Sequence, residues 1–375
     1  MRRITAGALV IGALAGVVQG QDRGGKPAAR SLALFVDETW TDNVRFLDET
    51  DPDMVTRVGA RAELKRTRSR GELALSADAA ALQHARTSDL DQLFYGGRLS
   101  ASRQLTRRTN VRLDESYRVA YSADQRGFSE LAVAEPLSRS RTHDVHGDIG
   151  RQLSRRATAG LALRHTHVAF DEASRLASGD RLALQARLER ETSRDGRLRL
   201  VAEREWSWTG EPTGAVSRLG TAWSGRLGPF VRLETGAGAV AVEGGEIDVQ
   251  PFGSAALSIE GLRGSLGARY ERSVGAAFGV GGLQSMDLFQ ARCTWRPSRR
   301  IAADADAVRI ISRSQSSDAL LASMDQVQAN LRYIVGSRLA LGAGYQLRRR
   351  ESASAAVVPH AAALLLSISY SQDWR

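Results

Sequence analysis

The stretch Arg181-Leu-Ala-Leu-Gln-Ala-Arg-Leu-Glu-Arg-Glu191 sets Leu182, Leu184, Ala186 and Leu188 against Arg181, Gln185, Arg187 and Glu189. A two-residue period is that of a β-strand, whose successive side chains point to opposite faces; on a helix the same leucines would scatter around the axis. Met54 to Arg66 repeats the pattern, with Thr56, Val58, Ala60, Ala62 and Leu64 on one face and Arg57, Arg61, Glu63 and Lys65 on the other. One face suits lipid and the other water. Such segments run for about ten to fourteen residues, the length a tilted membrane strand needs.

Working outward, the segments recur from Ser31 to the C-terminus, beginning at 31-46 and 54-66 and closing with 338-350 and 359-374. They predict eighteen strands, with sixteen as the alternative. The links alternate between long (47-53, 85-93) and short (67-70, 106-109), so the predicted fold is an all-β, up-and-down antiparallel transmembrane barrel. Closure is required, because an open edge in hydrocarbon would leave backbone groups unpaired. An even count with a long first link puts both termini on the periplasmic side.

Composition narrows the alternatives. Hydrophobic residues make up 42% of the 375, and beyond residue 20 no apolar run could cross a bilayer as a helix. Met1 to Gly20 has Arg2 and Arg3, an uncharged stretch from Ile4 to Val18, and small residues ending at Gly20. That is the form of a secretory signal peptide; an anchoring helix is the alternative, but the apolar core is short for a span. The expected organisation is signal peptide 1-20, periplasmic segment 21-30 and barrel 31-375. A lone cysteine, Cys293, excludes an internal disulfide. Lys26 and Lys65 are the only lysines among 52 basic residues, and the arginines are spread along the chain rather than clustered, which argues against a nucleic-acid partner. Aromatic residues, at 6%, are sparse for the core of a soluble β-sandwich or propeller.

The last segment, Ala361 to Arg375, reads AAALLLSISYSQDWR, with Leu364, Leu366, Ile368, Tyr370 and Trp374 at alternate positions. It resembles the C-terminal strand of bacterial outer-membrane barrels. That resemblance implies an outer-membrane location among lipid, and Leu366, Ile368, Tyr370 and Trp374 as a signal read by the barrel-assembly machinery. Trp374 stands one residue before the last. Asp37-Glu38-Thr39-Trp40-Thr41-Asp42-Asn43-Val44 resembles the first hairpin of porin-like barrels linked to exopolysaccharide and exosortase systems. This second resemblance implies, as an alternative function, a barrel or scaffold in polysaccharide export.

Several residue groups carry chemistry on paper. His165 and His167 are spaced to share a metal on one strand face, but they lie on the apolar face with no third ligand evident. His143, Asp144, His146 and Asp148, with Ser138 and Ser140, have hydrolase residue types, yet the start of a lumen-facing strand explains them equally. The glycines 236, 238, 244 and 245, and 275, 279, 281 and 282, lack the following helix that a phosphate loop needs. Trp40, Tyr95, Tyr117, Tyr121, Trp206, Trp208, Trp223, Trp295, Tyr333 and Tyr370 suit an interfacial girdle. Cys293 reads as a small buried or lipid-facing hydrophobe. The expectation is no catalytic, cofactor or metal site.

Eighteen strands enclose a lumen wide enough for water, so passive porin-like passage of small solutes is the predicted function. Predicted lumen residues are Arg57, Arg61, Arg98, Arg112, Arg118, Arg187, Arg218, Arg226, Arg232, Arg269, Arg292 and Arg332. They face fewer acids, among them Glu63, Asp114, Glu189, Glu203, Glu234 and Glu271, so anions should be mildly favoured.

Overall fold

The computed structural model describes residues 29–45, 49–121, 138–171, 176–209, 214–243, 248–276, 278, 283–314, 320–352 and 358–374. The expected signal peptide and the glycines 244, 245, 279, 281 and 282 lie outside the described residues. Among the described residues eighteen strands form one sheet. They are β1 (Ala29–Thr41), β2 (Asp53–Arg68), β3 (Gly71–His84), β4 (Gln92–Thr106), β5 (Thr109–Tyr121), β6 (Arg139–Gln152), β7 (Ala157–Phe170), β8 (Gly179–Glu191) and β9 (Gly196–Trp208). The second half comprises β10 (Gly214–Arg226), β11 (Val231–Glu243), β12 (Asp248–Gly261), β13 (Gly264–Ala276), β14 (Leu283–Trp295), β15 (Ile301–Ser314), β16 (Leu320–Val335), β17 (Leu339–Ser352) and β18 (His360–Trp374). Each strand pairs antiparallel with its sequence neighbours, and β1 pairs with both β2 and β18, so the sheet closes on itself.

Alternation decides which face each residue takes. Leu184, Leu188, Leu366 and Ile368 stand outward, each more than two-fifths exposed, on the face that the alternation assigns to lipid. Arg187 and Glu203, one position out of phase, point into the barrel. Closure pairs every interior strand edge, which the hydrocarbon demands, since each unsatisfied backbone group there costs several kcal/mol.

The short turns share a local rule. Thr106 Oγ1 accepts the Arg108 N–H at 3.2 Å, Ser154 Oγ that of Arg156 at 3.3 Å, Ser193 Oγ that of Asp195 at 3.3 Å, and Ser298 Oγ that of Arg300 at 3.2 Å. A hydroxyl bonding two residues ahead mimics a backbone turn and leaves the intervening arginine at the tip. Gly336 makes its turn differently, with φ of 71°, a left-handed conformation that costs other residues more.

The two ends differ in how their links pack. On the long-link side the link after β1 and the start of β2 are tied to the link after β3: Asp53 accepts the N–H groups of Arg86 and Thr87, and Arg45 bridges Asp51 and Asp89. The hydrogen bond from Arg45 holds the Asp89 carboxyl below the usual carboxylate range. Tyr121, expected in the outer girdle, is instead buried: it meets Phe94 edge-on, ring centroids 5.8 Å apart, and donates to the Leu90 carbonyl at 2.7 Å. The polar hydroxyl has a folded-down link to bond, so the ring turns from lipid.

Candidate functional site: a lumen narrowed by an inward hairpin

The barrel wall is not uniform in height. Pairing between β12 and β13 ends at Gly253↔Arg272, whereas β13 and β14 stay paired up to Ala276↔Leu283. Above Arg272 this hairpin leaves the wall and turns into the lumen. Val274, 1% exposed, packs against Val216, Val240 and Val242 of β10 and β11, with Phe252 and Leu283 at the cluster's edge. Phe278 is fully buried against Val168 and Phe170 of β7, and the Arg181 guanidinium lies 5.6 Å from its ring centroid. The tip therefore reaches strands far around the barrel.

Local sequence permits the bend. Pro251 lies in the upper part of β12 that β13 abandons, and a proline, having no N–H, suits a strand edge. Gly220 and Gly238 form a floor for the Phe252 ring, since a Cβ on either would come within 2.6 or 2.5 Å of it. Arg218 joins the pieces: its guanidinium donates to Glu203, to Glu205 at 2.9 Å and to the Val274 carbonyl of the inserted hairpin.

Beneath the hairpin lies a cavity of about 1260 Å³ lined by Arg164, Arg181, Arg218, Arg269 and Arg292, by Glu203, Glu271, Asp304 and Asp306, and by amides including Gln290 and Gln328. A side chamber of about 340 Å³ against β1–β4 and β16–β18 shares Met324, Gln326, Gln328 and Asn330 with it. The register sets all of Arg57, Arg61, Arg98, Arg112, Arg118, Arg187, Arg218, Arg226, Arg232, Arg269, Arg292 and Arg332 on this inner sheet face. Most are engaged with acids. Arg57 bonds Asp37 at 3.2 Å, Arg98 and Arg112 meet Asp114 at 3.4 and 2.6 Å, Arg118 meets Asp78 at 3.8 Å, Arg187 donates to Asp148 at 2.8 Å, and Arg269 pairs with Glu271. Arg226 and Arg232 instead face each other in register near the short-turn end, and Arg332 sits between Ala302 and Gly342. Sequence alternation alone flagged neither the cavity-lining Arg164 nor the inserted Phe278. The first carries the same two-residue signal, whereas the second had only Pro251 and a glycine-rich link to announce it.

The other candidate groups resolve by face. His165 and His167 point outward and both contact Asp180 Oδ1, at 3.1 and 3.0 Å. Among the described residues no group of His, Cys, Asp and Glu is arranged to hold a metal ion. His143 also points outward, onto Glu115 at 3.0 Å, while Asp144 points inward to Arg164 and Thr166 and Asp148 to Arg187. The hydrolase residue types are thus split between the two sides of the wall. Cys293 stands exposed on the outer face. The segment Asp37 to Val44 lies at the closure seam: Glu38 accepts from Thr56 at 2.9 Å, Asp42 accepts the Ala362 N–H at 2.7 Å, and Asn43 donates to the His360 carbonyl at 3.0 Å.

No family model matches the chain, and no curated protein matches it. Among solved structures it is similar to OpdK of Pseudomonas aeruginosa with vanillate (10% identity, 93% of this chain and 100% of that one, TM-score 0.51). It is similar also to OccK5 (OpdH) of the same organism (10% identity, 94% and 99%, TM-score 0.51) and to OccAB4 of Acinetobacter baumannii (10% identity, 93% and 99%, TM-score 0.50). At this identity the likeness is one of fold. The closed eighteen-stranded sheet with an apolar exterior is the fold of a bacterial outer-membrane β-barrel, porin-like in architecture.

Proposed function

We propose that this barrel is a passive, porin-like pore for small solutes, with a mild preference for anions and no catalytic role. The carrying observation is the cavity of about 1260 Å³ inside a closed wall, lined by charged and amide groups rather than filled by an apolar core. Conduction is diffusion past the inserted β13–β14 hairpin. Because acids neutralise most arginines of the wall, the preference arises near the short-turn end, where Arg226, Arg232 and Arg332 have no acid opposite them. There a positive potential raises the local concentration of anions.

Single-channel recording of purified protein in planar bilayers tests the pore. Reversal potentials across a salt gradient test the preference, which should fade between 0.1 M and 1 M salt as the Debye length falls from about 10 Å to about 3 Å. Joint replacement R226Q/R232Q/R332Q should move selectivity toward cations with the barrel still folded. A folded barrel without conductance would overturn the pore. Removal of residues 1-20 and delivery by the final strand complete the reading, and N-terminal sequencing of protein recovered from outer membrane checks the first.

A further inference from the structure

The surplus of arginine is unevenly distributed around the short-turn end, and we propose that the outer face of β1–β8 there binds anionic phospholipid headgroups of the periplasmic leaflet. Arg66, Arg103, Arg151 and Arg190 each occupy one of the last two outward-facing positions of their strands. Their register partners on that face are Leu73 for Arg66, Val111 for Arg103, Ala159 for Arg151 and Leu198 for Arg190. No acid stands opposite Arg103, Arg151 or Arg190 in either neighbouring strand. Arg103, Arg151 and Arg190 are exposed and, among the described residues, form no ion pair.

The turn rule extends the patch. Arg107, Arg108, Arg155, Arg156 and Arg194 project at the tips of the adjoining turns, held there by the Thr106, Ser154 and Ser193 hydroxyls. The corresponding outward positions on the other side of the barrel are Trp223, Ile259, Leu266, Trp295 and Tyr333, which are uncharged. At the outward strand positions, one side thus meets the membrane edge with guanidinium groups and the other with aromatic and aliphatic ones, the arginines of the second side, such as Arg299 and Arg300, standing in the turns.

Placement selects the partner. An arginine directly below a lipid-facing leucine or valine lays its stem along the acyl chains and its planar head among phosphates, which it can bind through paired N–H donors. Arginines on a soluble docking surface would not need to follow the outward register of membrane strands.

The test uses the folded full-length barrel in phosphatidylcholine vesicles carrying trace spin-labelled phosphatidylglycerol or, separately, spin-labelled phosphatidylcholine. The protein-associated fraction of each label gives their relative affinity. Phosphatidylglycerol should be preferred roughly fivefold, the value expected for about one arginine–headgroup contact. The preference should fall toward unity in about 1 M salt and in the triple variant R103Q/R151Q/R190Q, but persist in R296Q/R299Q/R300Q, which removes equal charge from the other side. A barrel with no preference, or one lost equally in both variants, overturns the proposal. Displacement by inorganic phosphate at matched ionic strength would assign the chemistry to free phosphate and also overturn it. Heat-modifiable migration on gels confirms that each variant is folded. No step requires conduction, so this inference stands or falls apart from the pore.

Discussion

The seam between β16 and β17 and the seam between β12 and β13 are built from the same kind of strand yet end differently. The first is paired from Ala322↔Ser352 to Val335↔Leu339 without interruption. The second stops at Gly253↔Arg272, leaving five residues of β12 above it, Asp248 to Phe252, paired only to β11. Regular alternation is not what distinguishes them. What differs is whether the continuing hairpin gains more by staying in the wall or by burying Val274, Leu283 and Phe278 across the lumen. The wall is compulsory where backbone meets hydrocarbon; above that level apolar packing inside can outweigh the lost ladder.

The largest expected effect breaks the compulsory part. Leu184→Arg or Leu366→Arg sets a charge on the lipid face at a cost of roughly 2 to 4 kcal/mol near the bilayer midplane, and should impair assembly as read by heat-modifiable migration. Gln185→Arg, facing the cavity, should assemble normally. Equal failure of both would show that inside and outside are assigned wrongly.

The optional part should break more gently. Phe278→Ala removes the ring buried on Val168 and Phe170, costing up to about 3 kcal/mol, less than a full core deletion because the cluster is small. The barrel should stay closed while the hairpin loosens, giving a larger and noisier single-channel current. An unchanged current would mean that the hairpin tip does not narrow the path.

Pro251→Ala sharpens the question of cause, since it returns an N–H to the abandoned edge. If the valine cluster holds the hairpin inward, stability should change by no more than about 0.5 kcal/mol and conductance should not move. A drop in protection of the inserted hairpin would make the proline itself the determinant.

The smallest effect is at the link after β3. The Asp89 carboxyl is held below its ordinary range by Arg45, so its contribution is present above the usual carboxylate pKa and is lost only as pH falls through the lowered value. Hydrogen exchange of residues 86–91 should show Asp89→Asn already loosened at neutral pH, matching the native protein only in acid. Indistinguishable protection at neutral pH would remove the tie.

Much of the fold is legible in the sequence. Leu182 through Glu191 could be assigned to faces because membrane strands obey a strict period, and the same period put the lumen arginines on one face. Tyr121 and Phe278 escaped, for a shared reason. Their environments come from links folding back over the barrel end, contacts between residues far apart in the chain that leave no periodic trace. The uneven charge escaped differently: composition reports an arginine surplus, but only register reveals that Arg103, Arg151 and Arg190 stand outside on one side while Arg187 and Arg218 are neutralised within.

Because Arg30 stands opposite Trp374 while both strands also pair with their sequence neighbours, the strand order is a ring, and the chain ends mark one cut in it. A circular permutant joined there and reopened in the link between β5 and β6 would contain every ladder of the native sheet. It would, however, present β5 rather than β18 as its terminal strand. Such a molecule would separate two kinds of information that the natural order superimposes: the pairing that determines the shape of the ring, and the position in the chain that determines which strand is delivered last.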